Sequence, residues 1–242
     1  MDCYYCSIVG SSRVNGDKAF LSEDKRVFAI SDGASGAYDK VKASTLCIKP
    51  LERLGYKNSG LSPLEYINYC FQEANDNLIN KSKVDGKLSF GTMTICVLDK
   101  RVLSTGMVGD TPAFLIRGNE IVRLCSPKKT YDRAIECGVL NEEEAEKAIE
   151  TLPGPMRSNF EVFLPMIIPS IAKSQIEVST DDILFICCDG ITDWISEEEL
   201  VDFFKEEESL EKTCDNIIEK IDNRCPKEHL DDRTMIAVKF QF

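Results

Sequence analysis

Two apolar runs that each end in an Asp-Gly pair constrain the fold more than any other feature of the chain. The first run covers Val27–Ser31 and leads into Asp32, and the second covers Ile183–Cys188 and leads into Asp189. Short apolar runs bounded by turn residues are typical of buried β-strands. Both runs therefore predict a buried strand that carries a carboxylate at its end.

Further aspartates occupy comparable places. Gly106–Asp110 brings a third carboxylate to the end of an apolar stretch, and Asp231 and Asp232 directly precede the last apolar run. Mg²⁺ and Mn²⁺ prefer carboxylate, carbonyl and water oxygens as ligands. Strands that repeatedly deliver an aspartate to their ends indicate a shared site for hard divalent cations, although a single Asp-Gly pair is equally typical of an ordinary turn.

The length and the cysteine content favour one reduced domain. The 242 residues, 43% of them hydrophobic, contain no Pro-, Gly- or Ser-rich linker, so we expect a single domain over residues 1–242. The odd number of 11 cysteines is spread over apolar positions, which favours buried thiols over a disulfide framework. Five of these cysteines lie within predicted helices or strands: Cys47, Cys70, Cys96, Cys187 and Cys188.

Charge and composition exclude several classes of function. The net charge of −12 argues against a nucleic-acid partner and against an anionic membrane surface. No apolar run approaches the roughly 18 residues that span a bilayer, and the N-terminal residues lack the basic region of a signal peptide. His229 is the only histidine, so a histidine-rich zinc site is excluded. We expect a cytoplasmic protein that acts as a monomer.

Turn and helix-start patterns indicate a mixed α and β protein. Asp99-Lys100 and Gly118-Asn119 each join two apolar runs, which predicts antiparallel sheet. The predicted strands cover 3–9, 27–30, 94–98, 101–108, 113–116, 121–124, 183–188 and 234–242. The predicted helices cover 38–54, a segment that begins with the capping box at Ser62, 197–206 and 210–221. Residues 126–170 are predicted to form an insertion over one face of the sheet.

Six short motifs follow one another along the chain. They are Asn15-Gly16-Asp17, Ser31–Gly36, Gly91–Thr94, Val108–Thr111, Cys188–Asp193 and Asp231–Thr234. In this order they resemble the motifs of the metal-dependent protein phosphatases of the type 2C class (PPM), in their compact bacterial-like form. The corresponding family motifs are Asn-Glu-Asp, Asp-Gly-x-Gly-Gly, Gly-Thr-Thr, Val-Gly-Asp-Ser, Ser-Asp-Gly-Leu-Thr-Asp and Asp-Asn-x-Thr. Each motif alone is weak, but six in the right order over nearly the whole chain are specific.

The resemblance implies a fold and an activity. The implied fold is α+β, a four-layer α-β-β-α sandwich in which two antiparallel β-sheets are flanked by helices, with residues 130–160 as a flap beside the active site. The implied activity is hydrolysis of phosphoserine or phosphothreonine at a centre of two or three Mg²⁺ or Mn²⁺ ions. The implied partners are a phosphoprotein substrate and, by family analogy, a serine/threonine kinase of opposing activity.

The motif match also implies a role for each aspartate. Asp32 would bridge two metal ions, the carbonyl oxygen of Gly33 would bind the second ion, and Asp189 and Asp231 would complete the first. These three aspartates would carry catalysis through a metal-bound water. Two further aspartates would support a second or third ion: Asp17 and Asp110.

Three positions depart from the family motifs. Gly16 replaces the Glu that the family has beside Asp17, so one carboxylate near the second metal is missing. The phosphate-binding Arg of the family lies five residues before this Asp, where this chain has Ser12, so Arg13 is expected to bind phosphate from a shifted turn. Arg233 stands in a slot that is usually apolar, and it either contacts phosphate, faces solvent or pairs with an acidic residue.

These departures leave two alternatives to an active protein phosphatase. Loss of the family Glu and displacement of the Arg favour a pseudophosphatase, a module that binds but does not turn over substrate. The third hypothesis is a metal-dependent hydrolase that acts on another phosphate ester, such as a small metabolite.

Overall fold

Two five-stranded sheets form the centre of the fold. The structure is a computed structural model that describes residues 1–33, 39–87, 89–126, 141, 143, 171–205 and 208–242. Its strands are β1 (Asp2–Ile8), β2 (Lys18–Leu21), β3 (Val27–Ser31), β4 (Met93–Asp99), β5 (Val102–Val108), β6 (Ala113–Arg117), β7 (Glu120–Arg123), β8 (Ala172–Glu177), β9 (Ile183–Cys187) and β10 (Arg233–Lys239). The first sheet has the order β1-β10-β9-β6-β7 and the second the order β2-β3-β4-β5-β8. All pairings between these strands are antiparallel, as the hairpin turns predict.

Helices cover the outer face of each sheet. They are α1 (Lys40–Arg53), α2 (Tyr56–Ser59), α3 (Pro63–Asp85), α4 (Asp189–Thr192), α5 (Glu197–Lys205) and α6 (Leu210–Arg224), and a 3-10 turn covers Lys227–His229. Helices α1 and α3 lie on the second sheet, and α6 packs on β1 and β10 of the first sheet. Among the described helices, none combines the length and the apolar character needed to cross a bilayer.

The burial of β3 shows how the layers arise from sequence. Alternate side chains of a strand point to opposite faces, so Val27 and Ala29 pack against α1 and α3, while Phe28 and Ile30 pack between the sheets. Leu184 of β9 belongs to the same inter-sheet core. A third core lies between the first sheet and α5 and α6. The predicted four-layer α-β-β-α sandwich of the α+β class is therefore confirmed.

Local residue choices explain where the helices begin. Asp39 caps α1, because its side chain accepts a hydrogen bond from the amide of Lys42 at 2.9 Å, and this fixes Lys40 as the first residue of the helix. Helix α3 begins with the predicted capping box, in which the amide of Ser62 donates to Glu65 at 2.9 Å. The αL conformation of Gly86 ends the helix, as is common for glycine at this position.

The sequence patterns do not predict the two edge strands of the second sheet. Strand β2 has only four residues. In β8 the first residue is buried, and the following residues alternate between exposed and half-buried. Both strands are therefore too short or too polar for the apolar-run criterion. The predicted insertion at 126–170 and its flap fall almost entirely outside the described residues.

Candidate metal centre

The second sheet brings three of the candidate aspartates to one of its ends. Asp32 follows the last residue of β3, Asp110 follows β5 by two residues, and Asp17 directly precedes β2. In the antiparallel registers, the end of β3 lies beside the start of β2 and the start of β4, and the start of β4 lies beside the end of β5. The strand pairing alone therefore gathers these side chains at one edge.

The first sheet delivers the other candidates to the same place. Asp189 is the first residue of α4, directly beyond β9 and Cys188, and Asp231 and Asp232 directly precede β10. Strands β9 and β10 are antiparallel neighbours, so the end of one lies at the start of the other. Strand β3 contacts both β9 and β10 across the sandwich, which places the two groups of aspartates side by side.

The electrostatics of Asp32 demonstrate this proximity. Burial is the largest cause that raises the pKa of Asp32 to about 8, and the next causes are the negative charges of Asp17, Asp231 and Asp110. A carboxyl group that feels three like charges prefers its neutral form. Asp32 therefore lies close to the other carboxylates of the cluster.

Asp189 lies in the same field. Burial raises its pKa to about 8, and the charges of Asp32, Asp110 and Asp231 add to the effect. The pKa of Asp110 is also raised, first by burial. Four carboxylates from four separate segments of the chain thus act on one another.

Several buried oxygens in the cluster have no protein partner. Within the described residues, no hydrogen bond of good geometry reaches either carboxylate oxygen of Asp17 or Oδ1 of Asp189. Thr234 and Asp32 lie close enough to Asp17 to influence its pKa, which burial nevertheless raises to about 6. Burying an unpaired carboxylate is costly, so these oxygens are suited to accept a divalent cation.

The carboxylates do not form a closed ligand shell. Among the residues that the structure describes, no three Asp, Glu, His or Cys side chains converge at the spacing of a completed metal site. Side chains of like charge that lie together repel one another, which accounts for an open arrangement. The donor set contains oxygen ligands throughout, and oxygen donors suit Mg²⁺ and Mn²⁺ better than softer metals.

Two glycines in the motifs are required by close packing around this edge. A Cβ atom on Gly33 would overlap the carbonyl oxygen of Lys40, and a Cβ atom on Gly190 would overlap the carbonyl oxygen of Asp232. The segments that carry the carboxylates therefore approach one another more closely than any other residue type would permit at these positions.

Asp232 differs from the other aspartates because it is fully partnered. Its carboxylate accepts hydrogen bonds from the amide of Gly10 at 2.8 Å, the amide of Gly16 at 2.7 Å and Nζ of Lys40 at 2.7 Å. Burial would raise the pKa of Asp232, but these donors outweigh it and the pKa is lowered. The motif match gave a metal-binding role to Asp231 and none to Asp232, and it did not identify Lys40.

The two arginines singled out by sequence have different surroundings. Arg13 is exposed and makes no ion pair with another described residue. Arg233 is buried and forms an ion pair with Asp222 of α6. Of the three environments considered for Arg233, pairing with an acidic residue is the one observed.

Comparisons with known proteins agree with this geometry. A family profile described as Stage II sporulation protein E (SpoIIE) matches residues 164–241. The chain is 22% identical over 217 residues to the serine/threonine phosphatase stp of Listeria welshimeri, a match that covers 85% of this chain and 82% of that relative.

Two solved structures share the whole fold. The serine/threonine phosphatase PstP/Ppp of Mycobacterium tuberculosis matches with a TM-score of 0.79 at 18% identity, over 100% of this chain and 99% of that one. The catalytic domain of PstP in complex with two manganese ions matches with a TM-score of 0.76 at 18% identity, over 98% and 97% of the two chains. In its motif order, its fold and these matches, the chain is similar to the metal-dependent protein phosphatases of the type 2C class, PPM.

Proposed function

We propose that the protein is a serine/threonine protein phosphatase that hydrolyses phosphoserine and phosphothreonine with the help of Mg²⁺ or Mn²⁺. The observation that carries this proposal is the cluster of mutually repelling carboxylates around Asp32 and Asp189, in which several buried oxygens lack a hydrogen bond of good geometry to the described residues. The matches to a relative named as a serine/threonine phosphatase and to a structure with two manganese ions support it.

The proposed ligands follow the motif match. Asp32, Asp189 and Asp231 would hold one ion, and Asp32 together with the Gly33 carbonyl would hold a second. The remaining two aspartates support a second or third ion: Asp17 and Asp110. Bound divalent ions would neutralise phosphoryl oxygens and supply a water of lowered pKa.

The two candidate nucleophiles near this edge among the described residues are Cys188 and His229. Cys188 precedes Asp189, but burial raises the pKa of its thiol well above the ordinary value, and the thiol donates a hydrogen bond to the carbonyl oxygen of Asp232 at 3.2 Å. A protonated, buried thiol is a poor nucleophile. His229 is exposed in the 3-10 turn. What the described residues supply at this edge is an arrangement of carboxylate and carbonyl oxygen donors.

The proposal extends to partners and location. The substrate is a phosphoprotein, and a serine/threonine kinase of opposing activity is its proposed counterpart. We propose a monomer without nucleic-acid or membrane partners, as the acidic composition suggests. Free thiols at Cys47, Cys70, Cys96 and Cys187 support a reducing, cytoplasmic location.

The test is release of phosphate from a phosphothreonine peptide in the presence of Mn²⁺. Wild-type protein should turn over, and Asp32→Asn and Asp189→Asn should not, while circular dichroism shows that both variants remain folded. Full activity in excess chelator would contradict the proposal. Tight Mn²⁺ binding without turnover of any phosphopeptide or small phosphate ester would favour the pseudophosphatase, and turnover of small esters alone would favour the metabolite hydrolase.

A further inference from the structure

The chain lacks an arginine at the position where the family motif places its phosphate-binding cation. Ser12 stands there, and the neighbouring Arg13 is exposed without an ion-pair partner among the described residues. A phosphate monoester carries up to two negative charges, and its recognition depends on cationic donors. A different cation near Ser12 would therefore fill the same need.

Lys40 reaches this position from another segment. It is the first residue of α1, and its side chain crosses the backbone of Gly16, because a Cβ atom on Gly16 would lie 2.7 Å from Cδ of Lys40. The glycine that replaces the family Glu at position 16 and the placement of the Lys40 side chain are therefore linked. A side chain at 16 would displace the lysine, and glycine leaves room for it.

The ammonium group is held in a defined place. Nζ of Lys40 lies 2.7 Å from Oδ2 of Asp232 and 3.1 Å from Oγ of Ser12. Asp232 is itself fixed by the amides of Gly10 and Gly16. An ammonium has three N–H donors, and two are directed to described partners, so one is left to meet a ligand.

The same group is accessible from solvent and close to the metal-binding edge. The Lys40 side chain is 21% exposed, and it lines an open cavity of about 390 Å³ together with Ser12, His229 and Asp231. Asp231 is a proposed metal ligand, and its charge and that of Asp17 act on Lys40. The cavity therefore brings the ammonium of Lys40 and one proposed metal ligand, Asp231, to the same open space.

We propose that Lys40 binds the phosphoryl oxygens of the substrate in place of the family arginine, with Ser12 and Asp232 as the groups that position its ammonium. This inference rests on the proposed phosphatase function, because it names the residue that holds the substrate of that reaction. Lysine acts as a compact point charge rather than as a planar fork, so this site recognises the charge of the phosphoryl group more than its geometry.

The main test compares Lys40→Met with Lys40→Arg and with Lys42→Met, an exposed lysine on the same helix that serves as the matched control. Three quantities are measured: KM and kcat for a phosphothreonine peptide with Mn²⁺, the affinity of the Mn²⁺-loaded protein for inorganic phosphate, and the affinity for Mn²⁺ itself. Lys40→Met should lower kcat/KM and phosphate affinity about ten- to a hundredfold through loss of one charge-assisted hydrogen bond. Lys40→Arg should restore most of both, and Lys42→Met should change neither.

Restoring the arginine of the family separates recognition from a structural role. Ser12→Arg in the Lys40→Met background should recover phosphate affinity, because it returns a cation to the same point. Arg13→Met is the competing variant, and its effect should be smaller than that of Lys40→Met. Unchanged phosphate affinity in folded Lys40→Met, or a larger loss in Arg13→Met, would overturn the proposal.

Two further measurements keep the inference independent of folding and of the proposed function. If Lys40→Met does not fold, the ¹⁵N resonance of the Lys40 ammonium in Mg²⁺-loaded wild type should shift when inorganic phosphate is added, and the absence of a shift would reject the role. If wild type hydrolyses no phosphate ester, the proposed function fails, while the phosphate titration still decides whether Lys40 binds the anion.

Discussion

Strand β9 carries an aspartate at each end, Asp182 buried and Asp189 half-buried, and the two have opposite environments. Asp182 directly precedes the strand and is 3% exposed. Its carboxylate accepts hydrogen bonds from Nε and Nη2 of Arg117 at 2.9 and 2.6 Å and from the amide of Ser179 at 2.7 Å. These partners outweigh burial and lower the pKa of Asp182.

Asp189 lies at the other end of the strand without such compensation. Burial raises its pKa to about 8, neighbouring carboxylates add to the effect, and its Oδ1 has no partner in the part of the chain that the structure describes. A carboxyl group whose pKa is raised in this way is typical of functional sites. The comparison teaches that the protein itself supplies the partners of Asp182, whereas Asp189 keeps an oxygen free for the cation that we propose.

The largest expected effect is a loss of activity on substitution of Asp189, the aspartate at the C-terminal end of β9. Asp189→Asn removes a proposed metal ligand, so kcat/KM for a phosphothreonine peptide should fall by about a thousandfold or more. The same change removes a carboxyl group whose ionised form is disfavoured by burial and by neighbouring carboxylates, so the midpoint of thermal unfolding in chelator should stay the same or rise. Steady-state kinetics and calorimetry measure the two effects. A marked loss of stability without metal would show that Asp189 is satisfied by the protein after all.

Part of this contrast could be predicted from the sequence. The runs that lead to Asp32 and Asp189 are apolar except for Ser31, so their burial and the position of the carboxylate at a strand end follow from composition. Asp182 could not be assigned in this way, because it follows Asp181 in a turn and its environment depends on Arg117 in the neighbouring strand β6.

The same limit applies at the metal-binding edge. Asp231 and Asp232 are adjacent and chemically identical, and only the tertiary approach of Gly10, Gly16 and Lys40 makes Asp232 the partnered member. Gly16 was recognised as a departure from the family motif, but the lysine that takes the space came from a distant segment. Long-range packing of this kind leaves no local pattern in the chain.

A second prediction uses pH to sharpen the contrast. In metal-free protein, Asp32 and Asp189 keep their protons up to about pH 8 in the folded state, whereas an unfolded chain releases them near pH 4. Between these values the folded state binds more protons, so the free energy of unfolding should decrease as the pH rises. Unfolding midpoints measured in chelator at pH 5 and pH 8 test this.

Saturating Mn²⁺ should remove most of that pH dependence. The metal binds the ionised carboxylates and competes with protons, and at about 100 times its dissociation constant it should stabilise the protein by about 2.7 kcal/mol. Asp189→Asn should weaken both the decrease with pH in chelator and the stabilisation by Mn²⁺. Equal midpoints at pH 5 and pH 8 in chelator would contradict the raised pKa values of Asp32 and Asp189.

A third prediction concerns the completed end. Asp182→Asn removes the negative charge that Arg117 and the amide of Ser179 bind, and the free energy of unfolding should fall by about 1–2 kcal/mol. The value is modest because the side chain of Arg117 is 48% exposed, so solvent screens the ion pair. Urea unfolding measures the loss. The folded variant should retain the Mn²⁺ affinity and the activity of wild type, and weakened metal binding would show that the two ends of β9 are coupled.

The smallest effect is expected for Arg117→Lys, which keeps the charge at the completed end and removes its geometry. The guanidinium meets both oxygens of Asp182 at once, whereas an ammonium acts as a single point. The amide of Ser179 would still bind the carboxylate. The free energy of unfolding should therefore fall by about 0.5 kcal/mol, less than in Asp182→Asn. A loss as large as that of Asp182→Asn, measured under the same urea conditions, would mean that two-point geometry rather than charge balance distinguishes Asp182 from Asp189.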